Sequence, residues 1–82
     1  MILICHKVTG EALLEVPADT LAGAALGRAV LLYADLRHAD LRGAYLRGAD
    51  LCQADLRDAR LDGCNLTESD VTLANLTGAS LK

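Results

Sequence analysis

From position 21 onward the chain places an aliphatic residue at every fifth position: leucine at 21, 26, 31, 36, 41, 46, 51, 56, 61, 66, 76 and 81, with Val71 filling the single gap. Two residues before each of these, from Ala24 on, stands a small one: alanine at 24, 29, 34, 39, 44, 49, 54, 59, 74 and 79, Cys64 and Ser69 between them. A repeat of this kind takes precedence over any local reading of secondary structure. In an α-helix five residues turn about 500°, so successive leucines are displaced by roughly 140° and no single apolar face results. In a straight strand an odd period sends the leucine to the opposite face at every repeat. The remaining solution turns a corner once per repeat, so that the leucine and the small residue two before it point inward while the other three positions face solvent.

Written from Ala34, the chain reads ADLRH, ADLRG, AYLRG, ADLCQ, ADLRD, ARLDG, CNLTE, SDVTL, ANLTG, ASLK. This resembles the pentapeptide-repeat family, whose consensus A-(D/N)-L-x-x is matched closely from Ala34 to Leu61 and more loosely on either side. The resemblance implies an all-β fold, a right-handed quadrilateral β-helix with four pentapeptides to a coil. The repeats from about 19 to 82 then make slightly more than three coils, stacked at the roughly 4.8 Å spacing of paired strands into a rod on the order of 15 Å long. Residues twenty apart become vertical neighbours, which sets Asp40 beside Arg60 and Arg42 beside Asp62, but also Arg37 beside Arg57, Asp35 beside Asp55 and Asp50 beside Asp70. On one face the Asp35/Asp55 and Arg37/Arg57 columns run in parallel, so lateral pairing offsets the repulsion within each. The expected surface is of mixed charge.

The first eighteen residues stand outside the repeat. Ile2–Cys5 and Ala12–Val16 are apolar runs separated by Val8-Thr9-Gly10-Glu11, where Gly10 supplies a positive φ, and they read as a β-hairpin that Pro17 terminates. Solenoids need covered ends. Residues 1–17 are the expected N-terminal cap of a single domain, 1–82, whose repeats occupy 19–82. The segment 19–33 also admits an Ala-rich helix, but Gly23 and Gly27 each cost about 1 kcal/mol in a helix interior. Leu21, Leu26 and Leu31 keep phase, and a degenerate first coil is the reading preferred.

The chain has 82 residues and a net charge of −3, with Tyr33 and Tyr45 its only aromatics. That size leaves no room for a buried active site with a cofactor. Cys5, Cys52 and Cys64 are odd in number and lack C-x-x-C spacing, which argues against a disulfide framework or zinc knuckle and for a reducing cytoplasm. The apolar start is too short for a signal sequence, and nothing is long enough to span a bilayer. His6 and His38 read as surface residues. Cys64 fills an inward small-residue slot and Cys52 points outward. Ser69 and Ser80 are the only serines, and no nucleophile–base pair can be drawn with His38. The expectation is no catalysis, no cofactor and no metal.

Two surfaces remain for function. The last coil would expose Leu66, Val71, Leu76 and Leu81 and invite edge pairing, the expected partner being a second copy related by a twofold axis. Tyr45 breaks the Asp series between Arg42 and Arg47, a combination found at binding hot spots. The expected function is a non-enzymatic protein-interaction module or scaffold. Quinolone-resistance members of the resembling family suggest a second reading, an acidic rod that mimics DNA and occupies the DNA site of gyrase, a type II topoisomerase. Residues 19–48 carry four Arg against three Asp, a balance of +1, and residues 49–82 carry two Arg and one Lys against five Asp and one Glu, a balance of −3. Only the second half is DNA-like, and a dimer through it would join two acidic halves. Direct nucleic-acid binding by Arg37, Arg42, Arg47 and Arg57 is the third reading, disfavoured by the negative charge and the missing stacking platform.

Overall fold

A computed structural model describes residues 1–82. Its regular elements are three strands, β1 (Ile2–His6), β2 (Ala12–Val16) and β3 (Ala34–Asp35), together with isolated parallel bridges and turns, and it contains no helix. The Ala-rich helix weighed for residues 19–33 is therefore absent, and turns at five-residue spacing run through that segment.

Everything after residue 20 follows from one corner, repeated. Each leucine carbonyl accepts a hydrogen bond from the N–H three residues on, as in Ala24 N to Leu21 O (3.1 Å) and Ala79 N to Leu76 O (2.9 Å). The third residue of each such turn has positive φ, as a type II turn requires. Glycine occupies five of these twelve sites, while Arg28, Tyr33, His38, Gln53, Asp58, Glu68 and Leu73 adopt φ of 58–62° in the other seven. The corner also explains the Asp/Asn of the repeat. A carboxylate or amide oxygen just before the leucine accepts the N–H just after it, as in Asp35 Oδ1 from Arg37 N (3.2 Å), Asp50 Oδ1 from Cys52 N (3.1 Å) and Asn65 Oδ1 from Thr67 N (3.0 Å). Short Asx side chains are suited to this two-residue reach.

Between corners the chain pairs with itself twenty residues on, in parallel, from Ala25 with Tyr45 to Arg60 with Ser80. The ladder is regular: Leu26 N donates to Tyr45 O (2.8 Å) and Tyr45 N donates to Ala24 O (2.9 Å). Inside lies a column of leucines, of which Leu31, Leu41, Leu46 and Leu51 are wholly buried, with Ala34, Ala44, Ala49, Ala54 and Ala59 between them. Ser69 takes an alanine slot because its Oγ donates to Leu66 O (2.7 Å), which leaves no unpaired polar atom there. Principal extents of 31 × 28 × 22 Å make the molecule a squat block rather than the expected rod.

β1 and β2 pair antiparallel with Ile2 opposite Val16 and Ile4 opposite Leu14, and an irregularity after Ile4 puts Cys5 opposite Ala12. β1 also lies antiparallel on β3, Cys5 opposite Asp35 and His6 opposite Ala34, giving the order β2-β1-β3. Ile4 and Val16 are buried within the same cluster as the leucine column. Outside, the His6 ring stacks on Tyr33 at 5.2 Å, and His6 Nδ1 accepts the N–H groups of Val8 and Thr9, which pins the hairpin turn over a corner.

Candidate functional site

At the far end the core opens. Leu46, Leu51, Leu56 and Leu61 are at most 2 % exposed, whereas their neighbours one coil on are half-buried (Leu66, Leu76) or exposed (Val71 at 38 %, Leu81 at 59 %). The N–H groups of Leu66, Val71, Leu76 and Leu81 and the carbonyls of Cys64, Ser69, Ala74 and Ala79 have no backbone partner, although their counterparts in earlier coils are paired. The four predicted side chains thus lie around the rim of one open coil. Leu73 adds a fifth apolar group at a corner, 74 % exposed.

The predicted Arg42–Tyr45–Arg47 surface is only partly assembled. Arg42 is held by its own repeat, with Nε 2.8 Å from Asp40 Oδ1 and Nη2 2.7 Å from Oδ2. Arg37 forks Asp35 and Arg57 forks Asp55 in the same way. These lateral pairs replace the vertical Arg42–Asp62 pair expected from the stacking: Asp62 instead accepts from Ser80 Oγ (2.7 Å) and Lys82 N (2.9 Å). Planarity explains the choice, since an arginine two residues on presents both N–H groups to both oxygens at once. The guanidinium hydrogen bond is the main reason Asp40 is depressed to about 2 and Asp35 and Asp55 also lie below the usual carboxylate range.

Tyr45 and Arg47 do share a cleft, of about 460 Å³, but the other lining residues are Gly27 and Arg28 of the preceding coil. Tyr45 is 44 % exposed, and its ring lies so close to Gly27 that a Cβ there would stand 2.8 Å from Cε1. Arg28 N donates to Arg47 O (2.8 Å), placing the two arginines on adjacent levels of one corner. Arg47 Nη2 reaches Glu68 Oε1 at 3.1 Å, and Arg28 has no carboxylate partner. Gly27 and Arg28 were missed in the sequence because they fall in the loosely matched first repeats. The 20-residue column, which sets Arg28 over Gly48, was the available signal.

A second cluster joins Asp50, Cys52 and Asp70, whose potential ligand atoms lie within 4.8 Å of one another. The carboxylates, Asp70 first, push the Cys52 thiol up to about 12, so it is protonated at neutral pH and is not a nucleophile there. Burial raises Cys64 as well, and all three cysteines are free. His38 sits at an exposed corner far in sequence from either serine, and no nucleophile–base contact is formed.

The stacked, leucine-filled corners define a β-helical repeat protein. The chain belongs to the pentapeptide-repeat family: the model for pentapeptide repeats matches residues 20–58 and 44–82, with eight copies. No curated protein matches the chain. Members of this family are typically non-catalytic structural or interaction proteins.

Proposed function

We propose that this chain is a protein-interaction module or scaffold whose main working surface is the open last coil, where a second copy docks about a twofold axis. The observation that carries the reading is the coincidence, on one rim, of exposed Val71 and Leu81, half-buried Leu66 and Leu76, and unpaired main-chain donors and acceptors. Apolar area and edge hydrogen bonds are what a self-complementary interface needs. Within this reading residues 1–82 form one domain. Residues 1–17 cap a right-handed, four-sided solenoid of slightly over three coils, residues 19–82; the 20-residue register supports four pentapeptides per coil, and burial of Ile4 and Val16 supports the cap. Free cysteines suit a cytoplasmic protein.

Asp35, Asp40 and Asp55 are each paired with an arginine of their own repeat and Glu68 with Arg47, which interrupts the run of free phosphate-like charges that imitation of DNA needs, while Asp50, Asp58, Asp62 and Asp70 of the acidic half have no such partner. Sedimentation of the wild type and of Leu81→Glu at roughly tens of micromolar, where a Kd in the micromolar range is resolved, tests the dimer. A wild-type dimer that the variant converts to monomer is the expected result. A stable wild-type monomer removes the twofold interface.

A further inference from the structure

The repeat carries its own oxygen at most corners, and one corner lacks it twice in succession. Where Asp or Asn precedes the leucine, its side-chain oxygen accepts the N–H two residues on at 3.0–3.2 Å. At the corner formed by Gly27 and Arg47 the preceding positions are Ala25 and Tyr45, which have no such oxygen. Neither the Gly27 nor the Arg47 N–H has a hydrogen-bond partner within the chain. Thr67, one level further, is again met by Asn65. The loss also removes the carboxylate that holds the arginine elsewhere: in Asp35–Arg37, Asp40–Arg42 and Asp55–Arg57 the pair is closed, but Arg47 follows Tyr45 and reaches only Glu68 on the next coil.

Two adjacent levels of one corner therefore combine unfilled main-chain donors with two guanidinium groups, Arg28 free of any carboxylate, around a cleft of about 460 Å³. Gly27 leaves the space in which the Tyr45 ring lies, so the cleft has one flat apolar wall. Donors lining one cleft in this way favour an oxyanion, because charge-assisted hydrogen bonds to a carboxylate or phosphoryl group are the strong ones and arginine presents them as a fork.

We propose that the corner of Gly27, Arg28, Tyr45 and Arg47 is a receptor for an oxyanion carried on a peptide, a Glu or Asp carboxylate or a phosphorylated serine, which supplies from outside the oxygen that Ala25 and Tyr45 fail to supply. This rests on the reading of the chain as an interaction module and names the chemistry of a partner other than a second copy. A peptide suits the site better than a nucleic acid. The body carries a net charge of −3, and a single pair of arginines matches one side chain rather than a run of phosphates.

The test is amide-resolved NMR of the full chain titrated with three capped hexapeptides: all-glutamate, one phosphoserine among neutral residues, and all-glutamine. Shifts centred on Gly27, Arg28 and Arg47 with either anionic peptide, and none with glutamine, are expected; which anionic peptide binds more tightly identifies the source of the oxyanion. Two variants keep the fold. Arg28→Gly removes one guanidinium at φ 60°, where glycine is at ease, and binding should weaken about tenfold, the scale of one lost charge-assisted hydrogen bond. Tyr45→Asp rebuilds the A-D-L-R repeat, supplies the oxygen internally for the Arg47 N–H and should weaken binding and remove the shift at Arg47. The proposal is overturned if neither anionic peptide moves these amides, if Tyr45→Asp binds like wild type, or if a DNA duplex moves them at lower concentration than either peptide. Such an outcome leaves the open last coil untouched, since sedimentation reports on that surface alone.

Discussion

At the scale of single residues the determining feature is the third position of each corner, where the backbone is left-handed whatever residue stands there. Leu73 holds φ 58° with its side chain 74 % exposed, so it bears the steric cost of that conformation without gaining burial. A non-glycine residue in the left-handed region costs about 1–2 kcal/mol, and glycine loses roughly 0.5–1 kcal/mol of that advantage through chain entropy. Leu73→Gly is therefore expected to raise stability by about 0.5–1 kcal/mol, read as a higher urea midpoint at unchanged slope. The inward leucines and alanines were fully legible in the sequence, because burial imposes one period on the whole chain. The corner was not, since seven of its twelve left-handed sites hold residues other than glycine, and only His38 and Asp58 among them are of types enriched in that region. Glycines at 23, 43, 48, 63 and 78, all in one phase, were the legible trace. The same corner hides the purpose of the Asp/Asn column, which looks like surface charge in one dimension and proves to be a main-chain acceptor in three.

Among elements, the hairpin is the one that does not repeat, and its two faces have unequal duties. Ile4 is 1 % exposed and joins the leucine column, whereas Leu3 points away and is 55 % exposed. Alternation along β1 thus commits one side of the strand to packing against the leucine column. Ile4→Ala should lower stability by about 2–5 kcal/mol by leaving a cavity between hairpin and coil. Leu3→Ala should stay within about 0.5 kcal/mol, as for other surface positions. Equal losses in thermal or urea unfolding would mean that the strand does not seal the column. The two apolar runs, Gly10 and Pro17 made the hairpin itself readable. What it rests on was not, because pairing between β1 and β3 joins segments about thirty residues apart with no shared pattern, and the stacking of His6 on Tyr33 depends on that pairing.

Over the whole molecule, the charges form a laced surface whose stability has a definite dependence on pH. Asp35, Asp40 and Asp55 are each forked by the arginine two residues on, and each also accepts that arginine's main-chain N–H, so ionisation is favoured in the folded state. Their folded values lie below the unfolded reference of about 3.9, Asp40 at about 2. A depressed carboxylate contributes stability that is present above the unfolded value and lost as pH falls through the folded one. The melting temperature should accordingly hold from neutrality to about pH 4 and fall between about pH 4 and pH 2. The Asp35–Arg37 and Asp40–Arg42 pairs are open to solvent, so each contributes little alone and added salt screens it further, whereas Asp55 is buried beneath a half-exposed Arg57 and is screened less. The acid-induced fall should therefore be gradual, shallower in high salt, and shallower again in Asp40→Asn, which keeps the side-chain oxygen for the Arg42 N–H while deleting the titrating charge. Circular dichroism melts across that window decide the matter: if Asp40→Asn retains the full slope, the Asp40–Arg42 fork does not contribute to stability in acid.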